Sequence, residues 1–275
     1  MATQSRWPNG AKAAISFTMD NLGEAQDVNK GLWPEGEPIG RHFSVQRNLP
    51  RMLDMLDKYG ITATYFAESW SLDVYPDLVR DMMRRGHEIA WHGYQHETWH
   101  ELSQEEEALN FEKSFAAAKN FGIGYEGFRP PGGTINEWTR DLFKQYGVKY
   151  VSPLGELRVE KGIAVLPFEW KGVDAFYYMD KFSGIRESHG APRVALPPSA
   201  FKEFLFAKIK EVKATNGYAS ILFHPFLQTD EEKFSVLEDV LSGLAVEKDI
   251  WLAPCKEVCR WMLSNRICFE GTRQK

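Results

Sequence analysis

The chain has 275 residues, with 33 Lys and Arg against 38 Asp and Glu and a net charge of −5. Hydrophobic residues make up 43% and charged residues 26%, a globular composition that excludes wholesale disorder. The acidic balance argues against nucleic acid as the main partner, because phosphate binding wants a basic surface.

The opening segment MATQSRWPNGAK lacks the apolar core of a secretory signal. No stretch approaches the roughly 18 apolar residues of a membrane span, so the expectation is a cytoplasmic protein without a membrane partner. The three cysteines, Cys255, Cys259 and Cys268, cluster near one end and read as reduced thiols rather than a disulfide framework.

AAISFTM (13–19) is a short apolar run of strand formers. SVQRNLPRMLDMLDKYG (44–60) carries Leu49, Met52, Leu53 and Leu56 at helical spacing and stops at Gly60. ITATYFA (61–67) reads as a strand, YPDLVRDMMRRG (75–86) as a helix and HEIAW (87–91) as a strand. SQEEEALNFEKSFAAAKNFG (103–122) is a helix with Ser103 and Glu106 as a capping box. YEGF is a short strand, INEWTRDLFKQYG (135–147) a helix, and VKYVSP and IAVLPFEW are strands. SAFKEFLFAKIKEVKATNG (199–217) is a long helix and YASILF (218–223) an apolar strand. FSVLEDVLSGL (234–244) is a helix, DIWLAP the last strand, and a helix over 255–264 closes the chain.

Seven or eight strand–helix units alternate, which means an α/β protein with a parallel sheet covered by helices. No composition shift marks a boundary, so residues 1–275 read as one domain. At this length a closed or partly closed (β/α) barrel is preferred over an open doubly wound sheet. No GxGxxG or GxxxxGK[ST] supports the open form.

Barrel enzymes place their chemistry at the C-terminal ends of strands. Asp20 and Asn21 follow the first strand, with Glu24 close behind, and Glu68 follows the second. His92 and His96 follow HEIAW at an i, i+4 spacing that suits two ligands on one metal. Arg129 follows YEGF and precedes Pro-Pro-Gly-Gly, which suits a positioned guanidinium beside bare backbone N–H donors near Gly132. Trp170 and the aromatic residues up to Tyr178 form a candidate substrate wall. His224 ends an apolar strand and precedes a proline that forbids further pairing. Each has a plain alternative: Asp20 could cap a turn, Arg129 could be a surface cation, and His224 could be a satisfied core histidine. His87 begins a strand, at the wrong end for chemistry, and reads as structural or solvent-facing.

FTMDN (17–21), HGYQH (92–96), FRPPGG (128–133) and LFHP (222–225) resemble, in this order, the motifs of the polysaccharide deacetylase or NodB homology family. LPFEW (166–170) falls where that family has a tryptophan-bearing wall. KGLWPEGEPIGRHFSVQRNLPRMLDML, HGYQHE and the P-x-x-W wall look closest to its intracellular branch. That branch holds a cytoplasmic-type peptidoglycan deacetylase and allantoinase and cyclic-imide hydrolase-like members.

The resemblance implies a single deformed barrel, a homo-oligomer, commonly a tetramer, and hydrolysis of a non-peptide C–N bond. A divalent metal, usually zinc, would be held by His92, His96 and a carboxylate of the first motif. Cobalt, nickel or manganese would also suit such ligands. The metal would activate a water, a carboxylate would take its proton, and a backbone N–H near Gly132 would help to hold the oxyanion. His224 would protonate the leaving nitrogen and Arg129 would pair with the base.

One position departs from the pattern. The family's first motif usually supplies two acids, and here the second is Asn21. Three readings stay open: Asp20 is the base and Asn21 a weak oxygen ligand; Asp20 is the third ligand and Glu24 or Glu68 the base; or the metal site is weak and an activated substrate is hydrolysed with little or no metal. The implied substrate is a small N-acyl compound, cyclic imide or ureide. The alternative is an acetylated amino-sugar polymer of chitin or peptidoglycan type. Asn21 alone supports a catalytically inactive binding protein.

Overall fold

A computed structural model describes residues 5–270. All eight residues of β1 (Ala13–Asp20) are buried, which is why the sequence there is a continuous apolar run. Its buried hydroxyls are answered: Ser16 donates to the Ala253 carbonyl and Thr18 to the Ile221 carbonyl, both at 2.9 Å. After β1 come β2 (Thr64–Ala67), β3 (Glu88–Trp91), β4 (Gly127–Phe128), β5 (Tyr150–Val151), β6 (Arg158–Glu160), β7 (Ile163–Val165), β8 (Tyr218–Phe223) and β9 (Ile250–Leu252).

The ladder runs β6-β7-β5-β4-β3-β2-β1-β8, and β9 also pairs with β1. β2 takes the C-terminal half of β1 (Thr18–Asp20), β9 takes its N-terminal half (Ala13–Ile15), and β8 takes Ala14–Met19. The pairs are parallel except β6–β7. That hairpin was not expected from the sequence, because Arg158 and Glu160 flank Val159 with polar side chains. It turns through Lys161 and Gly162, both with positive φ, as a two-residue hairpin loop requires.

Among the described residues no ladder closes the ring. Single bridges, Leu154 with Phe168 and Val173 with Leu222, carry the segment after β7 across to β8. Pro167 offers no N–H to a ladder in that segment. The expected barrel is therefore a deformed one, curled but irregular over this stretch.

Helices pack around the sheet. The helix Leu49–Lys58 buries Leu49, Met52, Leu53 and Leu56, the residues its periodicity singles out. The turn before it, Ser44–Asn48, is wound wider as a π-helix. Pro50 has no N–H for the carbonyl four residues back, which favours the wider turn. Ser103 and Glu106 do form a reciprocal capping box. The helix Glu231–Ala245 starts ahead of its apolar pattern because Asp230 caps it, accepting from the Lys233 N–H at 3.0 Å. Cys255 and Cys259 are buried on the helix Cys255–Ser264. Among the described residues no helix is long and apolar enough to cross a membrane.

Two local features set stability. Gly127 lies opposite Tyr150 in the β4–β5 pair, and a Cβ there would sit 1.8 Å from the Tyr150 ring. The Tyr150 hydroxyl donates to buried Glu88 at 2.8 Å, so the ring cannot move freely. Gly127→Ala should therefore cost about 1–3 kcal/mol in denaturant unfolding. A loss below roughly 0.5 kcal/mol would show that the sheet yields there.

His87 is buried, and its Nδ1 accepts from the Ala63 N–H at 3.1 Å. Burial, with Arg85 adding, lowers its pKa from 6.5. The unfolded chain thus takes up this proton before the folded one. The stability His87 contributes is intact above pH 6.5 and is lost as pH falls through the lowered folded value. Melting curves of His87→Asn should lose less stability than wild type between about pH 7 and pH 5; parallel pH profiles would contradict this.

Candidate active site

Parallel strands that end on one side deliver their next residues to one place. β1 delivers Asp20 and Asn21, β2 Glu68, β3 His92, β4 Arg129 and β8 His224. A cavity of about 200 Å³ is lined by Asp20, Asn21, His92, His96, Arg129, Gly132, Trp170 and His224, among others.

Arg129 is buried, and all five of its N–H groups are answered. Nη1 donates to Asp20 Oδ1 at 2.8 Å and Thr18 Oγ1 at 3.0 Å. Nη2 donates to Ser220 at 2.8 Å and Ser152 at 3.0 Å, and Nε to Ser152 at 3.2 Å. The Phe66 ring lies 4.1 Å from the guanidinium carbon. One oxygen of Asp20 is thus fixed by a charge-assisted bond. Its other oxygen lies 3.7 Å from His92 Nε2.

His92 Nδ1 donates to the Arg129 carbonyl at 2.7 Å, which leaves Nε2 as the free nitrogen. The His96 ring stands 4.8 Å from it at 81°, with Gln26 Nε2 on its Nδ1 at 2.8 Å. His96 holds φ +63°, an uncommon backbone for a non-glycine residue and one that clusters at functional sites. Burial pushes the His92 pKa down to about 3 and that of His96 well below its usual value. Both imidazoles are therefore neutral near pH 7, the form that ligates metal.

Asn21 also takes a left-handed backbone, with φ +64°. Its amide donates to Glu68 Oε1 at 3.2 Å, and the Leu22 N–H donates to Oε2 at 2.7 Å. Burial raises the Glu68 pKa to about 8, partly offset by the Leu22 bond. An aspartate at position 21 would face this carboxyl with a second acid. Among the described residues, Glu68, His92 and His96 bring three ligand atoms within 4.8 Å of one another. Two neutral imidazoles and the Glu68 carboxyl, which would give up its proton to a bound cation, fit a divalent ion of the zinc type. Asp20 is outside this trio.

Across the cavity, His224 Nδ1 donates to Asp174 Oδ1 at 2.6 Å. The His224 N–H and the Gln228 amide hold Asp174 Oδ2 at 2.7 Å and 2.8 Å. Nε2 is then the nitrogen left for the cavity. The sequence reading missed Asp174. Its one local signal is an acid set in the aromatic run after the LPFEW strand. Trp170 stands between Phe168 and Phe182, with ring centroids 5.3 Å and 5.4 Å away, and forms an apolar wall. Gly132, at φ +85°, lines the cavity, and its N–H has no intramolecular acceptor among the described residues.

The structure does not bring every candidate to the cavity. Glu24 is buried elsewhere, accepting from the Gly40 N–H at 2.7 Å and from the Tyr75 hydroxyl. It braces the loop after β1 and does not line the cavity. Glu68 lies behind Asn21 rather than in the lining.

The family model for polysaccharide deacetylase matches residues 35–151, which include His92, His96 and Arg129. The likeness to that family thus rests on residues 35–151, less than half of the chain. The peptidoglycan deacetylase of Helicobacter pylori is 26% identical over 125 residues, 45% of this chain and 39% of that protein. Chitin deacetylase 1 of Saccharomyces cerevisiae is 34% identical over 98 residues, 35% of this chain and 33% of that one. The matches thus span about two fifths or less of these relatives. A Mycobacterium smegmatis protein described as a polysaccharide deacetylase superposes with a TM-score of 0.82 at 24% identity, covering 98% of this chain and 96% of its own. Puue allantoinase superposes at 0.73 and 19%, covering 94% and 93%. At these identities the structures show a shared fold. Asp20, Asp174 and His224 lie outside the matched span, and their place in the site rests on geometry.

Zinc titration of metal-free protein by calorimetry tests the trio. Glu68→Gln and His92→Ala should each weaken binding by roughly 100-fold, and Asn21→Ala by less than about tenfold. Wild-type affinity in Glu68→Gln would remove Glu68 from the ligand set.

Proposed function

We propose that the protein hydrolyses a C–N amide bond outside the peptide series, in a small N-acyl, cyclic-imide or ureide substrate. One observation carries this reading: Asp20, fixed by Arg129, and His224, fixed by Asp174, line the same cavity as the two neutral histidines. A base and an acid converging on one small cavity are what addition of water across an amide needs.

In this reading Asp20 takes a proton from water through the oxygen not held by Arg129. The oxygen of that water bonds to the carbonyl carbon, and the C–N bond breaks as His224 gives a proton from Nε2 to the nitrogen. Asp174, opposite Nδ1, orients the ring and balances the charge it carries. The Gly132 N–H is placed to receive the negative carbonyl oxygen. Glu68, His92 and His96 would hold a divalent cation, whose contribution is Lewis-acid polarisation of the carbonyl. This assigns Asp20 as base and lets Glu68 replace the acid that Asn21 lacks. Trp170 and Phe168 exclude water from one side.

The substrate's size follows from the cavity, which suits one small molecule or one sugar residue. Deacetylation of an amino-sugar polymer is the second reading, and the family match favours it. An inactive binding protein has less support, because such a protein would not need two separately oriented proton carriers on one cavity.

Asp20→Asn and His224→Ala should each lower kcat by about 10²–10⁴ on any amide the wild type hydrolyses, with unchanged circular dichroism. Retention of wild-type turnover by both variants would overturn the proposed chemistry.

A further inference from the structure

The cavity lining holds two cations that the proposed chemistry does not use. Lys30 ends the helix Ala25–Asn29 after β1, and Lys181 sits in the turn Asp180–Phe182 after the aromatic wall. Both line the cavity, although they are far apart in the chain. Among the described residues neither is within ion-pair distance of a carboxylate. Other lysines here find partners: Lys208 with Glu169 at 2.7 Å and Lys202 with Asp239 at 3.0 Å.

The two ammonium groups also feel each other. Burial and the charge of Lys30 lower the Lys181 pKa, against a weaker opposing pull from Asp27. Lys30 lines the same cavity as His96, Asp20 and His224. Arg129 does not compete for an anion, because its five N–H groups are already spent. In a chain of net charge −5, two exposed lysines without an ion pair among the described residues border one small cavity, an arrangement that favours an anion there.

We propose that the substrate is an amide that carries its own carboxylate, and that Lys30 and Lys181 bind this carboxylate while the amide meets Asp20 and His224. The inference rests on the hydrolase reading and narrows its substrate class. The apolar wall of Phe168, Trp170, Met179 and Phe182 packs the carbon skeleton between the two polar ends. An acidic N-acyl amino acid and an acidic N-acetyl amino sugar share this chemistry.

Matched pairs that differ only in the acid separate these cases. N-acetylglycine is set against N-acetylglycinamide, and N-acetylmuramic acid against N-acetylglucosamine. The acidic member of the preferred pair should have kcat/KM at least roughly tenfold higher. The double variant Lys30→Met/Lys181→Met should erase that preference through KM, with kcat retained. The pair that responds identifies the source, amino acid or sugar.

Succinate, which has no bond to hydrolyse, tests the anion site without turnover. It should bind wild type by calorimetry, lose affinity roughly tenfold or more in the double variant, and weaken with added salt. If no amide is turned over yet succinate binds in this lysine-dependent way, the hydrolase reading fails and the anion site stands. Equal turnover of acidic and neutral amides, or succinate binding unchanged in the double variant, overturns the proposal.

Discussion

A guanidinium buried at the heart of a parallel sheet is the constraint on which this structure depends. Removed from water, it would cost several kcal/mol unless each N–H met an acceptor. Arg129 makes five bonds to four acceptors: Thr18 and Asp20 of β1, Ser220 of β8, and Ser152 beyond β5, which accepts twice. β1 and β8 are neighbours in the ladder, and β5 lies on the far side of β2, β3 and β4. One side chain therefore joins β1 and β8 to the loop after β5, in a part of the fold where the segment after β7 is held by the single bridges Leu154–Phe168 and Val173–Leu222. Its own carbonyl reaches further still, fixing His92 through Nδ1.

The same network divides labour in the site. The oxygen of Asp20 that answers Arg129 is spent on structure, which leaves the other for chemistry. The nitrogen of His92 that answers the Arg129 carbonyl is spent likewise. His224 repeats the pattern with Asp174. In each of these cavity-lining residues one polar atom is bound by the protein and its twin is left free, so orientation comes from the fold. Two left-handed residues, Asn21 and His96, sit beside these atoms. The surrounding bonds hold them in backbone conformations that a free chain would seldom visit.

Asn21 gains its meaning from Glu68. Two adjacent acids at the end of β1 would repel any third carboxyl brought against them. With asparagine at position 21, the amide can donate to a carboxyl arriving from β2. That carboxyl stands within 4.8 Å of potential ligand nitrogens of the two histidines.

Much of this was readable from the chain itself. Periodicity marked the buried face of the helix Leu49–Lys58, and Ser103 with Glu106 marked a cap, because both signals are local. Polar residues directly after apolar runs marked Asp20, His92, Arg129 and His224, because a parallel barrel sends every strand end to one rim. What the sequence could not determine was which distant groups meet there. Glu24 and Glu68 look alike as acids near strand ends. Only packing turned Glu24 toward Gly40 and Tyr75 and set Glu68 against Asn21 and the histidines. Asp174 lies 50 residues from His224, and no periodicity connects them. Lys30 and Lys181 become a pair only once the loops after β1 and after the aromatic wall share one cavity. Local pattern specifies elements and their ends; pairings between loops depend on how the ring curls, and that was decided by the tertiary structure alone.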